Sequence, residues 1–442
     1  MQRGIYAILV LTALVLQSCT KDFWKYHGHG HGHDDPEFID VTVDEGRDDQ
    51  TPNIIFSPDK LVISFDPSLN DAERQAIRDE FFVTVTESCN CGDTNIERWT
   101  IDTTMLDIEG AVSKLKSGSG GSNVEGDQEF DVILPRVVGN FAGANDFDQT
   151  GGEEIVDFVP DGSEVNIAIL DTGLDYLHYD LSADPYLYEV NASCFPTFSG
   201  WNFISQSNDV LDRHGHGTYV TGLTTAVLDE FGVGYNILPL KVFDGNGQGS
   251  FWNVMCALGY VRDIQQNGGN INIVNASFGG AMEQEILQDQ VVLSEILEDL
   301  KDLGVLVVTS AGNKGVDTDD AVTGHFISGN KADNIFAVGG YDDATGTVEV
   351  HSESNYGMES IDIAVPFGGY AIELNTDNPG EIVRAMLSGT SYSAAYMSGF
   401  GGMFSDMNGV NGTDLKNGIL GIAVDEPGLN NQIKDNKAII VN

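Results

Sequence analysis

From residue 163 onward, short apolar runs alternate with longer stretches whose apolar residues recur three and four positions apart. The runs at 165–170, 237–243, 271–276, 305–309, 335–338 and 361–365 read as strands, and helices fit over 252–266 and 282–303. Continuous apolar strands alternating with helices predict an α/β domain, with a largely parallel sheet and helices on both faces. In such sheets functional groups gather at the carboxyl ends of the strands.

A smaller unit precedes it at 53–138. Leu61, Ile63 and Phe65 alternate as a strand, and Ser68 to Asp71 open a helix with Ala72, Ala76, Ile77 and Phe81 on one face. Two β-rich runs follow at 82–86 and 96–101. Ile108, Val112 and Leu115 then mark a second helix, and Val132, Ile133 and Leu134 a last strand. The order βαββαβ predicts a small α+β domain of ferredoxin-like pattern, with a Gly/Ser loop at 117–122. Residues 139–162 are polar and Gly-rich, as expected of an exposed junction open to processing.

Residues 19–52 show no periodicity and read as a tether. Residues 1–18 read as a signal peptide, because Arg3 precedes an apolar stretch, Ile5 to Leu16, too short to span a bilayer. Leu16-Gln17-Ser18-Cys19 resembles a bacterial lipobox with Gln17 where a small residue is usual, so lipidation of Cys19 and plain secretion both stay open. Either outcome places the protein outside the cytoplasm of a bacterial cell.

Charge narrows the partners. With 21 basic and 68 acidic residues the formal net charge is −47, which argues against nucleic acid and anionic membrane surfaces. No EF-hand-type loop accompanies these carboxylates. His27, His29, His31 and His33 alternate with glycine in the tether; they could chelate a transition metal, or the tract is a flexible spacer. Cys89, Cys91, Cys194 and Cys256 allow three disulfide pairings, and no zinc pattern surrounds them.

Four blocks carry candidate chemistry. The first strand ends in Asp171-Thr172-Gly173, and Asp212 to Gly222 form a Gly-rich turn with His214 and His216 that enters a helix. Val308 to Asn313 form a strand ending at an amide side chain. Ser391 follows Gly389-Thr390 at the start of a small-residue helix, where its hydroxyl sits at the positive end of the dipole. A serine nucleophile needs a base, and the base needs an orienting acid. Each residue alone could be a cap or turn residue; four such coincidences together are improbable.

Asp171, His216 with Gly-Thr after it, Asn313 in Ala-Gly-Asn and Ser391 in Gly-Thr-Ser occur in the order found in subtilisin-like serine proteases, and the chain from Ser163 resembles that family. The resemblance implies catalysis by Asp171, His216 and Ser391, with Asn313 in the oxyanion hole. Ser277, Phe278, Gly279, Ser310, Ala311 and Gly312 would flank the substrate. It also implies that 53–138 is a prodomain that inhibits the enzyme within the same chain, and that the partners are protein or peptide substrates. The chemistry requires no cofactor, while structural calcium is common in the family and Asp180 is placed to serve it. Tyr392, Ser393 and Ala395 depart from the usual Met-Ala and Pro after the serine. An aspartic protease would need a second Asp-Thr/Ser-Gly, and an α/β-hydrolase a His after Ser391; neither is present. The rival to an active, self-maturing endopeptidase is an inactive or prodomain-blocked scaffold that binds at the cell surface.

Overall fold

The computed structural model describes residues 37–45, 54–89, 95–117, 123–135, 137–138, 165–175, 200–344, 346–375 and 381–441. The signal segment, Cys19, the histidine tract, Cys91, the junction 139–162, Asp180 and Cys194 lie outside them.

The parallel strands of a ten-stranded sheet run in the order Ile363–Pro366, Ile335–Asp342, Leu306–Ser310, Ile273–Ala276, Val165–Asp171, Tyr235–Lys241 and Trp201–Asn202. Because strand side chains alternate, each strand feeds two cores. Val165, Ile167 and Ile169 join Val220, Leu223 and Val227 of helix His216–Glu230, and Ala394, Met397 and Phe400 of helix Thr390–Asn408. Ala168 and Leu170 join Met255, Leu258 and Val261 of helix Phe251–Gln266, and Ile296 and Leu300 of helix Val291–Asp302. Burial on both faces is why these strands read as unbroken apolar runs.

The N-terminal domain has the expected order: strand Ile54–Phe65, helix Asp71–Glu80, strands Val83–Ser88 and Ile96–Ile101, helix Ile108–Lys116 and strand Val124–Ile133. Its strands are antiparallel neighbours, and one face holds a core of its own with Leu61, Ile63, Phe81, Trp99 and Leu115. The other face shares the larger domain's core. Phe130 stacks on Phe251 at 4.8 Å and meets Phe326 edge-on at 5.0 Å. The last strand also pairs antiparallel with Gln248–Ser250, joining the two domains through one sheet.

Two expectations are corrected. The helix expected over 282–303 is broken into Gln284–Gln288 and Val291–Asp302. The second helix has no side-chain cap from its own N-cap residue, Gln290. Asp127 of the N-terminal domain supplies one instead, accepting from Val291 N–H at 3.0 Å and Val292 N–H at 2.9 Å. The tether is not structureless throughout, because Glu37–Glu45 forms a strand parallel to Glu381–Ser388, which in turn pairs antiparallel with Gly368–Asn375. Val137–Val138 adds to its other edge. Among the described residues no helix is long and apolar enough to cross a membrane.

Candidate active site

Asp171 ends its strand fully buried, and its two carboxylate oxygens lie 2.8 and 2.9 Å from His216 Nδ1. Thr172 N–H donates to Asp171 Oδ1 at 2.7 Å, fixing the carboxylate's tilt. His216 is the first residue of its helix, and the turn before it is built around Asp212. Asp212 accepts from the N–H groups of His214 and Gly215 at 2.8 and 2.9 Å, and from Thr218 N–H and Oγ1 at 3.0 and 2.8 Å. Burial works against its ionised form, but the Lys241 ammonium and these donors outweigh it and hold the carboxyl below its ordinary range. Lys241, itself buried, donates to the Thr172 carbonyl beside Asp171. One buried cation thus ties the acid's strand end to the histidine's turn.

His214 is held differently. Its ring lies 6.4 Å from that of His216, and burial, then His216, push its pKa down. Among the described residues its Nδ1 has no hydrogen-bond partner. It is placed as a neutral neighbour rather than a base.

Ser391 is the second residue of helix Thr390–Asn408, entered through Gly389 at φ 135°, a backbone angle that only glycine adopts without strain. The helix crosses His216–Glu230 closely at Gly399, where a Cβ would lie 2.5 Å from the Thr224 carbonyl oxygen. Ser391 Oγ donates to the Ser277 carbonyl at 2.7 Å, and Ser277 Oγ donates to the Ser391 carbonyl at 2.9 Å. Asn313 Oδ1 accepts from Thr390 N–H at 2.9 Å and Thr390 Oγ1 at 2.8 Å, which fixes the plane of its amide next to Ser391. The departures after the serine are all interior: Tyr392 packs 6.0 Å from the His216 ring, and Ser393 Oγ donates to the Pro366 carbonyl at 2.9 Å. Ala395 keeps its carbonyl as acceptor for Thr224 Oγ1 at 3.1 Å.

A cavity of about 70 Å³ opens beside Ser391, lined by Ser277, Phe278, Gly279, Ser310, Gly312 and Asn313. Ala311 is not on this lining: its N–H donates to Val338 and its carbonyl accepts from Asn355 Nδ2, both at 2.9 Å, so it faces the interior. Phe278 turns its ring toward Phe243, 4.8 Å away. Leu134 and Pro135, from the end of the N-terminal domain, line the same cavity, with Leu134 N–H bonded to the Gly247 carbonyl at 2.9 Å.

Sequence reasoning missed Lys241, Thr390 and His325, which also lines this cavity. Asp212 and Thr390 could have been found, since one opens the Gly-rich turn and the other stands in Gly-Thr-Ser; Lys241 and His325 carry no local signal. Among the described residues no group of three or more His, Cys, Asp or Glu side chains could hold a metal ion.

The chain is 26% identical over 269 residues to a thermophilic serine proteinase of Bacillus sp. (strain AK1), covering 60% of this chain and 57% of that protein. It is 27% identical over 267 residues to subtilisin-like protease 7 of Trichophyton tonsurans, with the same two coverages. The chain therefore spans little more than half the length of these curated relatives. A lanthipeptide protease crystal structure aligns with TM-score 0.48 and 22% identity over 63% of this chain and 85% of that one. The pattern that defines the subtilase family matches residues 162–432. The chain belongs to the subtilase family.

Proposed function

We propose that the protein is a serine endopeptidase, exported and matured by removal of its own N-terminal domain. The observation that carries this reading is the fully buried Asp171–His216 pair, whose His216 ring lies 6.0 Å from that of Tyr392, the residue after Ser391, while Ser391 and Asn313 line one cavity. Ser391 Oγ turns from the Ser277 carbonyl toward His216, which takes its proton as the Oγ–carbon bond to the scissile carbonyl forms. Asp171 holds the proton on Nδ1 and stabilises the imidazolium. Asn313 and the Ser391 N–H face the oxyanion; one such donor is worth about 3 kcal/mol in the transition state. His216 then protonates the leaving amine as the C–N bond breaks, and water releases the acyl group by the same route. No cofactor enters these steps.

Maturation at the cleft would free the enzyme from Leu134 and Pro135, which line the cavity. Export follows from the N-terminal signal pattern, and lipid attachment at Cys19 remains part of this proposal. The test is the intact mass of the exported protein after a serine-directed fluorophosphonate, beside Ser391→Ala. With the Cys89–Cys256 disulfide reduced, separation of the N-terminal domain and one adduct on the larger piece, both absent in the control, are expected. A second reading, a surface binding protein kept blocked by its N-terminal domain, draws on the Cys89–Cys256 disulfide that joins the two domains. Labelling only after that domain is cut away and its disulfide reduced would favour it.

A further inference from the structure

The strand Glu37–Glu45 precedes the N-terminal domain in the chain but pairs with a strand of the larger domain. It runs parallel to Glu381–Ser388, from Glu37 opposite Glu381 to Asp44 opposite Ser388. Glu381–Ser388 is held on its other edge by Gly368–Asn375, with Gly368 opposite Ser388. It then leads through Gly389 and Thr390 into Ser391, and Gly389 N–H donates to the Phe367 carbonyl at 2.8 Å. Pairing on both edges leaves Glu381–Ser388 no free register. Asp44 is therefore fixed opposite a residue that stands just before the nucleophile's turn.

The end of the same strand holds a second partner. Val138 lies antiparallel opposite Asp44, and Val137 opposite Glu45. Slightly earlier, the chain is gripped by the larger domain. Strand Val124–Ile133 pairs with Gln248–Ser250, Leu134 N–H donates to the Gly247 carbonyl at 2.9 Å, and Leu134 and Pro135 line the cavity with Ser391. Two residues of chain span about 7 Å at most, so Val137 is close to Pro135 and to that cavity. The chain is thus held at both ends of one short stretch, 135–138, beside the serine.

We propose that Glu37–Glu45 is a clamp that holds the chain for its own maturation, so that the cut falls within 135–138 rather than in the junction 139–162. The strand offers backbone N–H and C=O groups to the residues that follow the cut, as a sheet edge takes up an extended peptide. Its register with Ser388 carries that hold to the nucleophile. A bond kept in place by two grips spends more of its time in a geometry that can react. The cut itself is the hydrolysis described above: the acyl carbon passes to Ser391 Oγ and then to water, and the amine side leaves as a new amino terminus beside the clamp. The strand touches no reacting atom; its role is positioning. This inference rests on the protease reading and adds to it where the enzyme cuts itself. The stretch 135–138 lies within the ring closed by Cys89 and Cys256, so the two pieces stay joined.

The experiment uses the full chain as wild type, as a variant with residues 37–45 replaced by Gly and Ser at equal length, and as Glu45→Pro. Glu45 is paired with Val137 and lies beyond the register with Glu381–Ser388, and proline there removes a backbone donor. The first cut is timed by electrophoresis under reduction, and the larger piece is sequenced from its amino terminus. In wild type that piece should begin at Arg136, Val137 or Val138. Both variants should slow the cut about tenfold or more. The reduced larger piece, counted with the fluorophosphonate, should hydrolyse a test peptide with the same kcat/KM from all three chains, because the clamp is not part of it; a merely structural role would lower that value too. A wild-type start at residue 139 or later, or an unchanged rate in both variants, overturns the clamp. If neither variant shows a cooperative urea transition, the wild-type start decides alone. Wild type that neither labels nor cuts overturns the protease reading and this one with it, whereas a labelled enzyme with its start in 139–162 overturns only the clamp.

Discussion

Cys89 of the N-terminal domain is bonded to Cys256 of the larger domain's helix Phe251–Gln266, with Cα atoms 5.5 Å apart. The ring it closes includes the whole of 139–162, so hydrolysis there leaves two pieces on one covalent frame. Electrophoresis of the matured protein should show one band without reductant and two with it. Two bands under both conditions would mean the bond is absent or that cleavage falls outside the ring. Cys256→Ser should release the N-terminal piece without reductant.

Asp127→Ala should destabilise the docked domains by about 1–2 kcal/mol, the usual worth of a helix cap. The capped N–H groups belong to Val291 and Val292, across the domain boundary. Hydrogen exchange at the start of helix Val291–Asp302 should speed up while that of the strand Val165–Asp171 stays unchanged. Equal changes in both would point to global destabilisation.

Docking should weaken as pH rises from 4 to 7. Burial raises both Asp127 and Glu129 to about 7, and among the described residues Glu129 Oε2 has no hydrogen-bond partner. The docked form then binds protons that the undocked form has released, so stability falls through this window and levels off above it. In Ser391→Ala, the urea midpoint for release of the N-terminal domain should be higher at pH 5 than at pH 8. Glu129→Gln should flatten that difference; an unchanged slope would remove Glu129 as its cause.

Asn313→Ala should lower kcat about 100-fold or more with little change in KM, because its amide acts only when the oxyanion forms. A rise in KM at constant kcat would assign Asn313 to substrate binding instead.

The four candidate blocks were legible because each is a short contiguous string whose backbone shape is set locally. Asp171 ends a strand, His216 and Ser391 open helices, and Asn313 follows a strand. What could not be read depends on partners far away in the chain. The helix start at Val291 is capped by Asp127, and the strand at Glu37–Glu45 forms between Glu381–Ser388 and Val137–Val138. Its few apolar residues, Phe38, Ile39, Val41 and Val43, are too short a signal to outweigh the polar stretch around them. Lys241 reads as the polar end of an apolar strand until Asp212 is folded against it. His325 stands in no block at all; only the folded cavity reveals its place.

The pairing of Glu37–Glu45 with Glu381–Ser388 imposes an order of assembly. The first described strand to leave the ribosome cannot find its neighbour until nearly the whole chain has been made. That neighbour runs directly into Gly389-Thr390-Ser391, so the approach to Ser391 is completed late, by a contact of very high sequence separation. Until that pair forms, the segment leading into Ser391 lacks its parallel neighbour.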